Sequence, residues 1–303
     1  MADSIPGAGK LNNGMIKKEI NSFRRINLHL HTNVSDGILS PAELVKEVKA
    51  KGLELISITD HDSADAYKML PPTLTPLNIL PGMEISSMHK GHDVHILAYG
   101  CDSANQALIE MTEMYLVGRR ERAQKMLKLL AQMGLEISLQ EVIAVAGSRE
   151  LIVRPHIAQV MIKKGFVQNK NEAFDKYIGN FKPAFVPKPE LKVESVIKLI
   201  HDAGGFALIA HPGKLTNAAF IYDIIDMGID GLEVWHPDHY PTEVENFITI
   251  AQKNGLLMTA GSDYHGDSER NSLLDYVQVG EEILDSINAL WQEYKWRLNT
   301  RSS

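Results

Sequence analysis

Cysteine is nearly absent: Cys101 stands alone among 303 residues. That excludes an intramolecular disulfide framework and fits a reducing compartment. Any metal site must then be assembled from imidazole and carboxylate, a donor set that favours zinc, manganese or iron over an iron–sulfur cluster. Long apolar runs are missing too. None approaches the roughly 18 residues of a membrane span, and the first twenty positions, rich in Gly, Asn and Lys, lack the apolar centre of a signal peptide. Residues 1–21 read as a poorly ordered lead-in, and the cytoplasm is the expected location, with no membrane partner. Positive charge is outnumbered: 31 Lys and Arg face 38 Asp and Glu, a formal net charge of −7. No global basic field therefore attracts long duplex nucleic acid. A short anion held by a few local groups stays compatible.

What the chain does have is a normal apolar content, 44%, enough for a full-sized core, and a run of strand-like segments that end in chemistry-bearing residues. Ile26, Leu28 and Leu30 alternate, so period two sends Asn27, His29 and His31 to the other face. Imidazoles at i and i+2 of one strand can converge on one cation. Asp36 and Gly37 follow in a polar turn, and Ser40-Pro41-Ala42-Glu43 opens a helix with an N-cap, a first-turn proline and a capping-box glutamate. A second strand over 53–58 runs into Thr59-Asp60-His61-Asp62. A third, within 76–87, is expected to end at Gly82-Met83-Glu84, and a fourth over 93–99 carries His95. Short strands alternating with helices predict parallel βα units, in an open sheet or a barrel.

The texture changes after Gly100. One long helical pattern covers 103–134, and Arg154-Pro155-His156 opens another helix, with no strand alternation before residue 180. The stretch 103–188 therefore reads as an all-helical insertion, a cap, between scaffold parts 22–102 and 189–303. The βα rhythm resumes with strands over 206–210, ending at His211-Pro212, over 231–235, leading to His236, and over 256–260, ending at Gly261-Ser262-Asp263-Tyr264-His265. A last short strand is expected at 276–279, before a C-terminal helix.

Five histidines and four carboxylates thus sit at or just beyond predicted strand ends: His29, His31, Asp36, Asp60, His61, Glu84, His211, Asp263 and His265. That rim is where barrels of parallel strands build active sites. Satisfied core histidines would account for one of these stretches, but not for all at one locus. Nine candidates are too many for one ion, so two or three divalent ions sharing carboxylates are expected. Such sites activate water and stabilise displacement at phosphorus or carbonyl carbon.

In this order the motifs resemble those of the PHP (polymerase and histidinol phosphatase) family, over roughly 26–100 and 190–280. Arg154-Pro155-His156-Ile157-Ala158, the run from Ala173 to Gly179, and Glu233-Val234 with His239 resemble one branch of it. Members of that branch remove phosphate from 3′,5′-bisphosphonucleotides and trim short RNA from the 5′ end. The resemblance implies an α/β fold, a distorted (β/α)7 barrel of the PHP type with the helical insertion, holding two or three ions of manganese, iron or zinc. Carried over position by position, His29, His31, Glu84 and Asp263 hold one ion, and Asp36, His61 and His265 a second. Glu84 bridges to a third held by His95 and His156. His211 faces the phosphate and, with Asp263 and His265, makes up the expected catalytic set. Tyr264 stands where Phe is frequent, a departure that leaves the metals untouched.

For substrate binding the resemblance points to the insertion. Arg119 and Arg122, at i and i+3, share a helical face and suit a clamp on a second phosphate. Arg154, His211 and His239 are the further candidates, while Arg120 reads as a solvated face. The expected function is a metal-dependent phosphoesterase acting on a nucleotide or short oligonucleotide. A small-molecule phosphomonoesterase of the histidinol-phosphatase type is the enzyme alternative, but it needs no arginine-bearing cap. A non-catalytic nucleotide-sensing module would be favoured by missing ligands, and none is missing.

Overall fold

The computed structural model describes residues 23–70, 74, 77–146, 152–187, 191–266, 274 and 277–301. The expected lead-in lies outside them. Strand β1 (Ile26–Leu30) pairs in parallel with β2 (Leu55–Ile58), and β2 with β3 (Asn78–Ile79). Between β1 and β2 runs α1 (Pro41–Ala50), started as its sequence predicts: Glu43 N–H donates to Ser40 Oγ, and the Glu43 carboxylate accepts from Ser40 N–H at 2.8 Å. Leu44, Val45 and Val48 form its buried stripe.

The second sheet runs β4 (Gly82–His89), β5 (His92–Tyr99), β6 (Phe206–Ile209), β7 (Gly231–Trp235) and β8 (Leu257–Ala260) in that order. Here the all-parallel expectation fails, because β4/β5 and β5/β6 are antiparallel. The cause is local. Lys90 and Gly91 both take positive φ, 50° and 82°, the conformation of a two-residue hairpin whose twist matches its strands. With β4 reversed straight into β5, no crossover helix exists to make them parallel. Glu84 accordingly lies inside a hairpin strand rather than at a strand's end. Among the described residues, eight strands form two sheets in place of one continuous (β/α)7 barrel ladder. Single bridges, Leu30 to Tyr264 and His61 to Glu84, join the sheets. The last strand expected at 276–279 is not formed over 277–279, where Val277 N–H donates to Ile26 O at 2.9 Å; Tyr276 is outside the described residues.

The helices α6 (Val193–Asp202), α7 (Phe220–Asp226), α8 (Pro241–Asn254) and α9 (Glu281–Arg301) follow the expected rhythm, with α2 (Gln106–Gln132), α3 (Leu139–Ala146), α4 (Arg154–Lys163) and α5 (Lys170–Ala173) in the insertion. A π-turn, Phe174–Ile178, extends α5. The long α2 serves two cores. Leu108, Met111 and Tyr115 pack with the large-sheet core, whereas Ala123, Met126, Leu127 and Leu130 pack with Ile157, Val160 and Met161 in a separate apolar cluster. Leu28 and Leu30 are fully buried, each contributing roughly 1.5–3 kcal/mol. That offsets part of the cost of taking His29 and His31 out of water on the opposite face. No helix among the described residues is long and apolar enough to cross a membrane.

Candidate metal centre

The parallel strands β1, β2, β6, β7 and β8 deliver their C-terminal ends to one rim, and the β4–β5 hairpin closes it from the side. Three groups of donor atoms form there, the atoms of each lying within 4.8 Å of one another: His29, His31, Glu84 and Asp263; His31, Asp36, His61 and His265; and His61, Glu84 and His95. Glu84 is the hub. Its Oε2 lies 3.4 Å from His29 Nε2, 3.3 Å from His31 Nε2 and 3.0 Å from His61 Nδ1. Its Oε1 lies 2.8 Å from His95 Nδ1 and 2.9 Å from His211 Nε2.

Whether these residues suit divalent cations is answered by their unsatisfied atoms. Buried polar atoms normally find hydrogen bonds, since an unpaired one costs about 1–3 kcal/mol. Yet His29 Nε2, His31 Nε2, Asp36 Oδ1, His61 Nδ1 and Glu84 Oε2 are buried without any. Five such atoms, all facing one another, are what a set of hard and borderline donors presents to a cation. The electrostatics agree. Burial opposes charging His29 and His31, but the carboxylates of Glu233, Glu84 and Asp263 around His29, and of Asp263 and Glu84 around His31, outweigh it and raise both, His31 to about 10. Burial dominates at His61 and lowers it to about 3. Against burial, the histidines around Glu84 and Asp36 hold both carboxyls well below their ordinary range. The residues fit divalent metal.

A supporting layer fixes the donors. Glu233 on β7 accepts from His29 Nδ1, at 3.0 and 3.2 Å, and from the His211 backbone N–H at 2.8 Å. With Nδ1 occupied, His29 turns Nε2 toward Glu84 and Asp263, the arrangement that orients metal-ligating imidazoles. Gly261 is required by the same approach: a Cβ there would lie 2.1 Å from His29 Cβ and 2.6 Å from Glu233 Oε1. His265 donates Nδ1–H to the Asp263 carbonyl at 2.8 Å and so points Nε2 at Asp36. Asp60, one of the nine rim candidates, braces the loop after β1. Its oxygens accept from Thr32 N–H (2.7 Å), Thr32 Oγ1 (2.6 Å) and Ser35 Oγ (2.6 Å).

Three expected placements differ. His156 belongs to none of the three donor groups; its Nδ1 accepts from the Val153 N–H at 3.4 Å at the start of α4. His239 has both ring nitrogens on backbone, donating Nδ1–H to Val234 O (2.9 Å) and accepting from Gly213 N–H (3.2 Å), so it staples the loops after β6 and β7. Arg119 is paired with the buried carboxylate of Asp62 and reaches Ser86 Oγ at 3.1 Å. A helical face says which residues share a side, not what the fold lays against it. Arg122 and Arg154 do come together. Burial lowers Arg122 to about 9, with Arg154 and Arg119 adding to it, and burial lowers Arg154 as well. Among the described residues neither pairs with a carboxylate: Arg122 Nε donates to Val186 O at 2.6 Å and Arg154 Nη1 to Asn180 Oδ1 at 2.8 Å.

Glu233 and Lys214 escaped the sequence reading as site residues, and His236 was expected near the rim without an assigned role. Asp263 shows why the last two matter. Its Oδ1 faces His31 Nε2 at 3.2 Å, while its Oδ2 lies 3.0 Å from Lys214 Nζ and 3.5 Å from His236 Nε2. The only local signal was their position, each within five residues of a strand end.

Comparison with known proteins agrees with this geometry. Residues 27–207 match the PHP domain family. The chain is 29% identical over 280 residues to the 3′,5′-nucleoside bisphosphate phosphatase of Chromobacterium violaceum, covering 90% of this chain and 97% of that one. It is 27% identical over 286 residues to the 5′-3′ exoribonuclease Rnm of Escherichia coli, covering 90% and 94%. The solved structure of an amidohydrolase from Chromobacterium violaceum, with bound sulfate and no metal, superposes with a TM-score of 0.79 at 28% identity, over 90% of this chain and 96% of that one. With the family matched over more than half its length, this chain belongs to the PHP domain family and is a hydrolase.

Proposed function

We propose that the protein is a metal-dependent phosphoesterase that releases phosphate from a nucleotide carrying a second phosphate, a 3′,5′-bisphosphonucleotide or the 5′ end of a short RNA. One observation carries the reading: the unsatisfied donors of the rim lie in the same protein as two neighbouring, desolvated arginines, Arg122 and Arg154, that form no direct ion pair among the described residues. Bound divalent cations would supply positive charge to the phosphate oxygens and lower the pKa of water. His29, His31, Glu84 and Asp263 would hold one, and Asp36, His61 and His265 a second, with Glu84 and His95 placed to share a third.

The chain's own groups do the rest. Glu233 holds the His29 ring and the His211 backbone together, so β7 sets the orientation of both. His211, 2.9 Å from Glu84 Oε1 and only partly buried, offers an imidazole to the phosphate or the leaving oxygen. Lys214, on the outer oxygen of Asp263, adds a cation at the mouth. The residues 103–188 act as a cap in this reading, with Arg122 and Arg154 in place of the Arg119–Arg122 pair. Two neighbouring guanidiniums that lack a direct carboxylate partner among the described residues favour an anion, and planar forks suit phosphate. The two oxygenated groups of the substrate are thereby held at separate places, one on the rim and one under the cap. A histidinol-phosphatase-like monoesterase would leave the arginine pair unused.

The test is phosphate release from a 3′,5′-bisphosphoadenosine and from AMP, by wild type and Arg122→Met/Arg154→Met. Each charge-assisted bond is worth about 1.5–3 kcal/mol, so the double variant loses on the order of 10²–10⁴ in kcat/KM on the bisphosphate and far less on AMP. Equal losses on both, with metal content unchanged, would refute the reading.

A further inference from the structure

Beside the arginine pair the cap carries two phenylalanines. Phe185 is half-buried, its ring centre 5.9 Å from the Arg122 guanidinium carbon and 5.7 Å from that of Arg154. The ring of Phe181 lies 6.3 Å from that of Phe185, tilted by 43°, and Phe181 is 96% exposed. Its backbone is also strained, with φ at 62° in the left-handed region, where a bulky side chain is a genuine outlier. Five non-glycine residues with positive φ occur among those described. Asp62, His211 and Asp263 belong to the metal rim and Lys90 makes the hairpin turn. Phe181 has neither excuse.

The turn that presents it is held firmly. Lys182 N–H donates to Gly179 O at 3.1 Å, Ala184 N–H to Tyr177 O at 2.9 Å and Phe185 N–H to Lys182 O at 2.9 Å, while Arg154 holds Asn180. An aromatic ring that gains nothing from burial and strains its own backbone does not stabilise the fold. Strain kept by a well-bonded turn belongs with binding sites.

We propose that Phe181, backed by Phe185, is a stacking platform for the nucleobase of the substrate. This rests on the phosphoesterase reading above and adds to it what the base contacts. The order of groups matches a nucleotide. Asp93, two residues from His95 on β5, acts electrostatically on both Arg122 and Arg154. Those arginines touch Phe185, and Phe185 is next to Phe181. The arginines and the exposed ring are thus neighbours through Phe185. Every base has a π-face, so such a platform accepts any base, as removal of successive 5′ nucleotides would require. Phe185 has cationic guanidiniums against its ring, a contact that is itself favourable, which leaves Phe181 as the ring free to receive a base.

Full-length, metal-loaded wild type, Phe181→Asn and Phe181→Trp would be compared. Asn tolerates the left-handed backbone, and Trp keeps a stacking ring. The first readout is the ratio of kcat/KM for 3′,5′-bisphosphoadenosine over base-free ribose 3,5-bisphosphate. It falls about 5- to 150-fold in Phe181→Asn, the equivalent of roughly 1–3 kcal/mol of base–aromatic stacking, through KM, and is kept in Phe181→Trp. The second readout needs no turnover. Quenching of 2-aminopurine fluorescence on binding the 3′,5′-bisphosphate of its riboside to metal-free protein is present in wild type and lost in Phe181→Asn. An unchanged ratio together with an unchanged quench would overturn the platform. If wild type releases phosphate from neither bisphosphate, the phosphoesterase reading fails on its own, and the quench still decides the platform.

Discussion

Arg119 and Asp62 join α2 to the donor rim, and cutting that join is the sharpest perturbation available. Arg119 is 4% exposed and Asp62 not at all. The Asp62 carboxylate receives the guanidinium on one oxygen and the Ser86 N–H, at 2.6 Å, on the other, while Tyr115 OH donates to the Ser86 carbonyl. Asp62 directly follows His61, a member of two of the three donor groups, and its own φ is 51°. Removing one partner of a buried ion pair typically costs about 3–5 kcal/mol, whereas removing both is often close to neutral. Arg119→Met should therefore destabilise by about that amount, and Asp62→Asn/Arg119→Met should recover most of it, a coupling that a double-mutant cycle in urea isolates. Burial opposes the charge on Asp62, and Arg119 more than compensates, holding its carboxyl below the ordinary value. Without Arg119 burial wins and the folded pKa rises above the unfolded value, so the deficit of Arg119→Met is full at neutral pH and shrinks as the pH falls toward about 4. Elemental analysis gives the functional half: metal bound through His61 is lost first, and the equivalent held by His29, His31, Glu84 and Asp263 stays. A stable Arg119→Met with full metal content and a selective loss on two-phosphate substrates would refute this and restore Arg119 as a phosphate reader.

Two further outcomes follow from the same centre. Glu84→Gln should lose more than one equivalent of metal, because both oxygens of Glu84 serve donor groups; full metal content in that variant would remove the bridging assignment. Titrating divalent metal into metal-free protein at pH 7 should release protons, since His29 and His31, the latter near 10, are charged there and must give up protons to bind. Calorimetry in buffers of differing ionisation enthalpy measures the release, which fades and the apparent affinity rises as the pH approaches about 10; no release at pH 7 would mean the imidazoles are neutral before metal arrives.

The rim was legible from the chain because two local regularities point at it. Period two in Ile26–Leu30 puts His29 and His31 on one face, and the residues after β2, β6 and β8 follow apolar runs too short to be helices. Both are properties of a few consecutive residues. The β4–β5 hairpin was not legible, because a turn built from Lys90 and Gly91 lacks the Asn-Gly or Asp-Gly signature of its type, and the error displaced Glu84 from mid-strand to a strand end. Glu233 was visible only as part of a motif, with no physical role attached. A glutamate on a strand carries no periodic mark, and its purpose depends on His29, 204 positions earlier in the chain.

The arginines of α2 separate what pattern can say from what packing decides. Spacing put Arg119 and Arg122 on one helical face, and both are indeed buried together. Their fates diverge because the chain lays Asp62 against Arg119 and a backbone carbonyl, Val186 O, against Arg122. Of the two, Arg119 is the one in direct contact with a carboxylate. The same logic explains His239, whose position beyond β7 resembled a rim residue but whose ring is consumed by Val234 and Gly213. A polar side chain is available for chemistry only when the fold has left some of its hydrogen-bonding capacity unspent. On that criterion His29, His31, Asp36, His61 and Glu84, whose buried atoms keep unspent capacity, are the rim residues best placed for chemistry.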